Sequence, residues 1–156
     1  MLLALLVAAQ INTTQPYWKE VVDSIQTPIV DVERLQLNGL HSERQKAIMD
    51  MAWDICGQDN NFLVLLKGEN GIITHDRKMG PNKNGTYDYG YCGVNTVHKD
   101  ILNEKFFTEP LYQLKECCNL YKAQGLKIFY AVDTKWERDK IIKNHFVWEK
   151  TLTPTK

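Results

Sequence analysis

The 156-residue chain has no net charge to work with: 19 Lys and Arg residues balance 19 Asp and Glu. No whole-molecule field draws it to nucleic acid or to an anionic membrane surface, and it lacks the strongly basic balance of an electrostatic wall binder. Long apolar runs are absent as well. The longest is LLALLVAA at residues 2–9, too short to span a bilayer. The chain has no C-x-x-C, which excludes zinc-knuckle and thioredoxin-type motifs. It has no repeats and no low-complexity tract. At 44% hydrophobic and 10% aromatic residues, it carries too much apolar material to stay disordered. The length suits one domain, alone or behind a short leader. A chain of this size buries roughly two-thirds of its unfolded surface.

Residues 1–15 read as a leader or partial export signal. The apolar core is at the lower length limit, Val7-Ala8-Ala9 offers a cleavage site, and a basic n-region is missing. The expected location is secreted, periplasmic or associated with the cell envelope. Residues 16–26 pattern as an amphipathic helix with Trp18, Val21, Val22 and Ile25 on one side, broken at Thr27-Pro28. With the mixed stretch 28–41, they are expected to form an N-terminal helix and wrap over 16–41, outside the core.

The remainder, 42–150, is the expected functional domain. Ser42 to Gln45 is a capping-box pattern ahead of a stripe of Ala47, Ile48, Met51, Ala52 and Ile55, and Gly57 supplies a stop. Phe62–Leu66 is apolar all round and too short for its period to separate helix from strand. Residues 70–98 turn rich in Gly, Asn, Asp and Tyr, and Asn84-Gly85 is a turn signal. A small two- or three-stranded ribbon is expected there. Helix returns near Thr108, the expected cap, followed by Glu109 and Pro110, with Leu111, Leu114, Cys117, Cys118 and Tyr121 at helical spacing up to Gly125. A short apolar piece, 128–132, precedes a last polar helix from about Asp133 to Asn144. The fold class is therefore α+β, mainly helical, with a small β-ribbon.

Four cysteines, Cys56, Cys92, Cys117 and Cys118, allow two disulfides, and the adjacent pair is poorly placed to bridge itself. The plain reading is buried thiols; bridges require an oxidising compartment.

Two carboxylates stand out. Glu69 closely follows the apolar run 62–66. A carboxyl against an apolar wall is disfavoured in its charged form, so its pKa rises, as a general acid near neutral pH requires. Asp88 lies 19 positions on, among Asn82, Asn84, Thr86 and Tyr89, polar surroundings that suit an ionised carboxylate. Two carboxyls in contrasting environments can cleave a glycosidic bond: one protonates the leaving oxygen, the other meets the developing positive charge. The plainer alternatives are a capping or solvated Glu69 and a turn residue at Asp88.

The strings Glu69-Asn70-Gly71, Asn82-Lys83-Asn84-Gly85-Thr86-Tyr87-Asp88-Tyr89-Gly90 and Val94-Asn95 resemble the lysozyme-like superfamily. The c-type lysozyme pattern is the nearest echo; soluble lytic transglycosylases share the Glu and a Gln-Ile-Asn region. The resemblance is specific over Glu69–Asn95 and looser, in helix order, over about 42–132. It implies a lysozyme-like fold whose β-ribbon lobe forms a glycan cleft. It also implies Glu69 as proton donor, Asp88 as nucleophile or electrostatic stabiliser, and Asn82 and Asn95 lining the cleft. The activity implied is hydrolysis of the β-1,4 bond between N-acetylmuramic acid and N-acetylglucosamine in peptidoglycan. There are departures. The Glu-to-Asp spacing is about two residues longer than in c-type enzymes, Gly93 stands where the family has Gln, Cys92 replaces an aliphatic residue, and the cysteines do not follow the c-type set. A distant, bacterial or phage-type member fits these departures.

Tyr87, Tyr89 and Tyr91 alternate, which in a strand puts them on the side opposite Asp88. At most one or two are expected in the cleft, with Tyr89 the candidate for sugar contact. Trp53, Trp136 and Trp148 read as core. His75, Asp76, Cys92 and His98 lack the spacing of a ligand motif, Cys92 with His98 reads as a buried thiol beside a turn histidine, and Asp76 is the spare carboxylate. No cofactor and no metal is implied. The expected partner is the glycan strand of peptidoglycan, met by a monomer, with no nucleic acid and no stable membrane insertion. Two alternatives remain at this point: a lytic transglycosylase using Glu69 alone, and a lysozyme-like module that binds glycan or protein without turnover, which the missing Gln favours.

Overall fold

The computed structural model describes residues 29–72 and 74–154. The expected leader and the expected helix over 16–26 lie outside them. Arg34–Glu149 forms one compact unit, and the outer ends of the first and last strands belong to a second.

Ser42 begins the first helix as its sequence predicts. Its hydroxyl accepts from Gln45 N–H at 3.2 Å, and the Gln45 side chain accepts from Ser42 N–H at 3.0 Å. This closes the capping box of α1 (Glu43–Ile55), satisfying donors that a helix start leaves open. The buried stripe is Ile48, Met49, Ala52 and Trp53. It is rotated from the expected one: Ala47 is exposed, Met51 and Ile55 are half-buried. The apolar segment 62–66 proves to be the middle of α2 (Asn60–Asn70), capped by Asp59 and ended by Gly71 at φ 64°. Phe62 to Leu66 are all fully buried, so α2 is the central helix, apolar all round because neighbours surround it. Removing one such leucine side chain costs about 2–5 kcal/mol.

Three short antiparallel strands follow: β2 (Lys78–Met79), β3 (Asp88–Tyr89) and β4 (Val94–Asn95), in the order β2-β3-β4. Met79 pairs with Asp88, and Asp88 with Asn95. The ribbon is where the Gly- and Asn-rich composition placed it. Two helices, α3 (Glu104–Thr108) and α4 (Pro110–Gln124), come next. Pro110 opens α4, but the N-cap is Glu109, not Thr108. Two 3-10 turns, Leu126–Ile128 and Tyr130–Val132, take the apolar piece to α5 (Lys135–His145), which carries its own capping box from Thr134 to Glu137.

Two expectations fail for reasons of tertiary structure. The stretch 28–41 is not a wrap. It forms β1 (Ile29–Leu37), paired in a two-stranded sheet with an unexpected final strand, β5 (Phe146–Pro154). Leu35 and Leu37 are buried core residues. The cysteines are buried but are not thiols: Cys56 is bonded to Cys118, and Cys92 to Cys117. Adjacent cysteines on α4 thus fasten α1 on one side and the segment after the ribbon on the other. Trp53 is buried as expected, whereas Trp136 and Trp148 are 70% and 57% exposed. Among the described residues no helix is long and apolar enough to cross a membrane.

Candidate active site

Glu69 lies in the last turn of α2, where the helix dipole presents its negative end and a carboxylate is unfavourable. The close approach of its neighbours is set at Gly68. A Cβ there would come within 2.8 Å of Ile141 Cδ1 and 3.0 Å of Val132 Cγ1, so a larger residue would make those side chains shift. That packing carries Ala131 to the carboxyl, and its N–H donates to Glu69 Oε1 at 3.2 Å. Burial pushes the Glu69 pKa from the ordinary 4.5 up to about 7; the Ala131 N–H opposes the shift, and the charge of Asp88 adds to it. The desolvated carboxyl expected from the sequence is present.

Asp88 sits in the opposite kind of environment. Asn82 Nδ2 donates to its Oδ2 at 3.0 Å, and Asn95 Nδ2 donates to its Oδ1 at 2.7 Å. Both amides also donate to Thr86 Oγ1, at 3.1 and 2.9 Å, and Thr86 in turn donates to Asn84 Oδ1 at 2.7 Å. Each carboxylate oxygen thus has a neutral amide donor, and the donors are tied to one hydroxyl. The strand register explains this: Asn95 is the cross-strand partner of Asp88, and Asn82 returns to it through the turn closed by Asn82 N–H to Thr86 C=O at 2.7 Å.

Gly93 stands between the two acids. A Cβ built on it would meet Glu69 Oε2 at 3.3 Å and the Asp88 Cβ at 3.9 Å. Where the resemblance led to a Gln, this chain leaves the gap between the carboxyls open. Both acids face a cavity of about 710 Å³, within the usual span for small-molecule sites. Asn82, Asn84, Thr86 and Asn95 line its ribbon side, and Leu120, Gln124, Ile128, Phe129 and Tyr130 its helical side. Tyr130 is 86% exposed, an aromatic ring at the rim.

Of the expected site residues, Glu69, Asp88, Asn82 and Asn95 meet in this cavity. Tyr89 does not line it. Its ring packs edge-on against Phe107 at 5.4 Å, beyond the Lys78 side chain, because the strand alternation turns it away from Asp88. Tyr91 is fully buried. His98 lines the cavity, but Cys92 is held in a disulfide and offers no thiol for a dyad or a metal. Asp76 does not reach the cavity.

The residues that hold the ribbon had no local signature. Gln113, on α4, is fully buried. It accepts from Tyr91 N–H at 2.7 Å and donates to the carbonyls of His75 at 2.5 Å and Phe106 at 2.8 Å. Gly90 leaves room for it: a Cβ there would fall 2.5 Å from Gln113 Oε1. Buried Asn70 donates to Gly90 C=O and receives Arg77 Nη1 on its own Oδ1 at 3.0 Å. The ribbon is thereby fixed to α2 and α4 by hydrogen bonds from the buried Asn70 and Gln113 side chains, which rigidifies a site.

No family model, curated protein or solved structure matches the chain.

Proposed function

We propose that the chain is a glycosidase of the lysozyme type that cleaves the β-1,4 bond between N-acetylmuramic acid and N-acetylglucosamine in peptidoglycan. The observation that carries this reading is the pair of opposed environments in one open cavity. Glu69 is desolvated with its pKa pushed up to about 7, while Asp88 has both oxygens on amide donors. Protonated Glu69 delivers its proton to the glycosidic oxygen as the C–O bond breaks. The positive charge that develops on the sugar is met by the Asp88 carboxylate. Water, deprotonated by the Glu69 carboxylate left behind, then completes the hydrolysis.

The two amide bonds to Asp88 favour the stabilising role over the nucleophilic one, since attack would draw an oxygen away from its donor. The resemblance over Glu69–Asn95 supports the substrate, and a lysozyme-like arrangement of helices and ribbon is part of the same proposal. Two disulfides fit a secreted or envelope location, where such bridges persist. The open cavity with both acids facing it weighs against a module that only binds.

The test is mass spectrometry of the soluble products from purified peptidoglycan, for wild type and Glu69→Gln. Reducing-end muropeptides, absent with the variant, are expected. Anhydro-muropeptides would move the chain to transglycosylase chemistry, with Glu69 acting alone. No product from folded wild type, on a substrate that a control lysozyme cuts, would reject turnover.

A further inference from the structure

A second cavity, of about 370 Å³, lies on the other side of Gly68 and Ala131 and shares no residue with the first. Lys67, Lys140, His145, Asn144 and Trp136 line it. Its lining is more basic than acidic. Among the described residues, no carboxylate lies within ion-pair distance of Lys67, Lys140 or His145. The one acid in its wall, Glu137, caps α5, its Oε2 accepting from Thr134 N–H at 2.9 Å and Oγ1 at 3.1 Å, and it stands as one carboxylate against two lysines. Behind the cavity a further imidazole crowds in, with the His41 and His145 rings 5.4 Å apart.

These bases feel one another. Burial, with the Lys67 charge, holds the pKa values of His41 and His145 below their ordinary range, and Lys46 presses further on His41. Burial alone lowers Lys67. Lys67 and Lys140 outnumber the one carboxylate of the lining, and an anion entering between the two ammonium groups is attracted by both. At the mouth stands Trp136, 70% exposed, with the Lys140 ammonium 5.1 Å from its ring centroid. An exposed indole beside a cation offers a flat apolar face and a charge together.

We propose that this cavity is a second binding site, distinct from the Glu69–Asp88 cavity, for a sugar that carries an anionic group. The ring of the sugar lies on Trp136, and the carboxylate or phosphate sits among Lys67, Lys140 and His145, with the Asn144 amide as a neutral donor. A phosphate-substituted and a uronic-acid glycan share this chemistry. The proposal does not depend on turnover at Glu69.

The test is a titration of the whole 15N-labelled chain with glucose 6-phosphate, glucuronic acid, N-acetylglucosamine and inorganic phosphate, each alone. Expected are shifts of the Lys67, Asn144 and His145 amides and the Trp136 indole with one or both anionic sugars, tenfold or more weaker for N-acetylglucosamine. Which anionic sugar binds tighter identifies the group. Lys140→Gln, at an exposed position that leaves folding intact, should weaken binding at least fivefold. Trp136→Ala should weaken the sugar anions while leaving inorganic phosphate unchanged. Responses of the Asn82–Asn95 amides to N-acetylglucosamine belong to the first cavity and are scored separately. Equal response to the neutral sugar, indifference to Lys140→Gln, or shifts confined to the Asn82–Asn95 region would each overturn the proposal. Equal affinity for inorganic phosphate and sugar phosphate would overturn the role of Trp136.

Discussion

The two sides of the candidate active site are built on opposite principles. The Glu69 side is a helix end sealed by close packing: Gly68 against Val132 and Ile141, and a single backbone N–H on the carboxyl. The Asp88 side is a ribbon of two-residue strands, held by side-chain hydrogen bonds through Thr86, Asn82 and Asn95. A carboxyl that must keep its proton needs water removed, and the central helix provides that. A carboxyl that must keep its charge needs donors, and Asn side chains in turns provide them. The difference shows why both kinds of structure occur in so small a unit.

The sharpest way to break this comparison is Glu69→Gln. It keeps the volume and the bond from Ala131 N–H but removes the acid. Loss of general-acid catalysis lowers the rate by about 10²–10⁴-fold, read as muropeptide release per unit time. Wild-type activity should fall as pH rises through about 7, where Glu69 loses its proton. A variant with activity within threefold of wild type would remove Glu69 from the chemistry.

Next in size is the staple at the ribbon's base. Replacing Cys92 and Cys117 together by Ala opens a bridge between residues 25 apart, against 62 for Cys56–Cys118. On loop-closure grounds its loss destabilises by about 3 kcal/mol, and loss of the longer bridge by about 1 kcal/mol more. Denaturant unfolding measures both. Hydrogen exchange sharpens the contrast: without Cys92–Cys117, amides of 88–95 should lose protection first, while those of α2 follow global unfolding. Equal loss in both regions would show that the ribbon is held by hydrogen bonds alone.

Much of this contrast was legible in the sequence, and what was not has a common cause. The capping box at Ser42, the composition of 70–98 and the apolar wall before Glu69 are local features, set by nearby residues in the chain. The strand 29–37 carries no local sign of its pairing, because its partner, β5, lies more than a hundred residues on. Gln113 looked like an ordinary polar residue of α4, since its three partners come from 75, 91 and 106. The cysteines could be counted but not paired. Residue type alone places Trp136 in the core, whereas the fold leaves it exposed in the lining of the second cavity. In each case the missing information was a long-range contact.

A third expected effect concerns stability and pH. Glu69 binds its proton more tightly folded, with a pKa of about 7, than at the ordinary 4.5. Between those values the native state holds the proton and the unfolded chain has released it, so stability falls as pH rises from about 4.5 to about 7 and then levels. The carboxyl keeps some contact with solvent, which places the drop at about 1–3 kcal/mol. Glu69→Gln removes that proton, so the difference in unfolding free energy between variant and wild type should move in the variant's favour by this amount from pH 4.5 to 8. A constant difference across the range would mean that water reaches Glu69 freely.

The smallest expected effect isolates the other side. Thr86→Val keeps the shape of the side chain but deletes the oxygen shared by Asn82, Asn84 and Asn95. The amides retain Asp88 but lose their common anchor, which weakens folding by about 1 kcal/mol. On the proposal that Asp88 acts through its charge, turnover should drop only severalfold, with the pH at which activity declines unchanged, since the proposal assigns that limb to Glu69. Thr86→Ser restores the hydroxyl and should restore the rate. A shift in the pH limb with Thr86→Val would mean that the two sides are coupled, with the ribbon setting the acid on the helix.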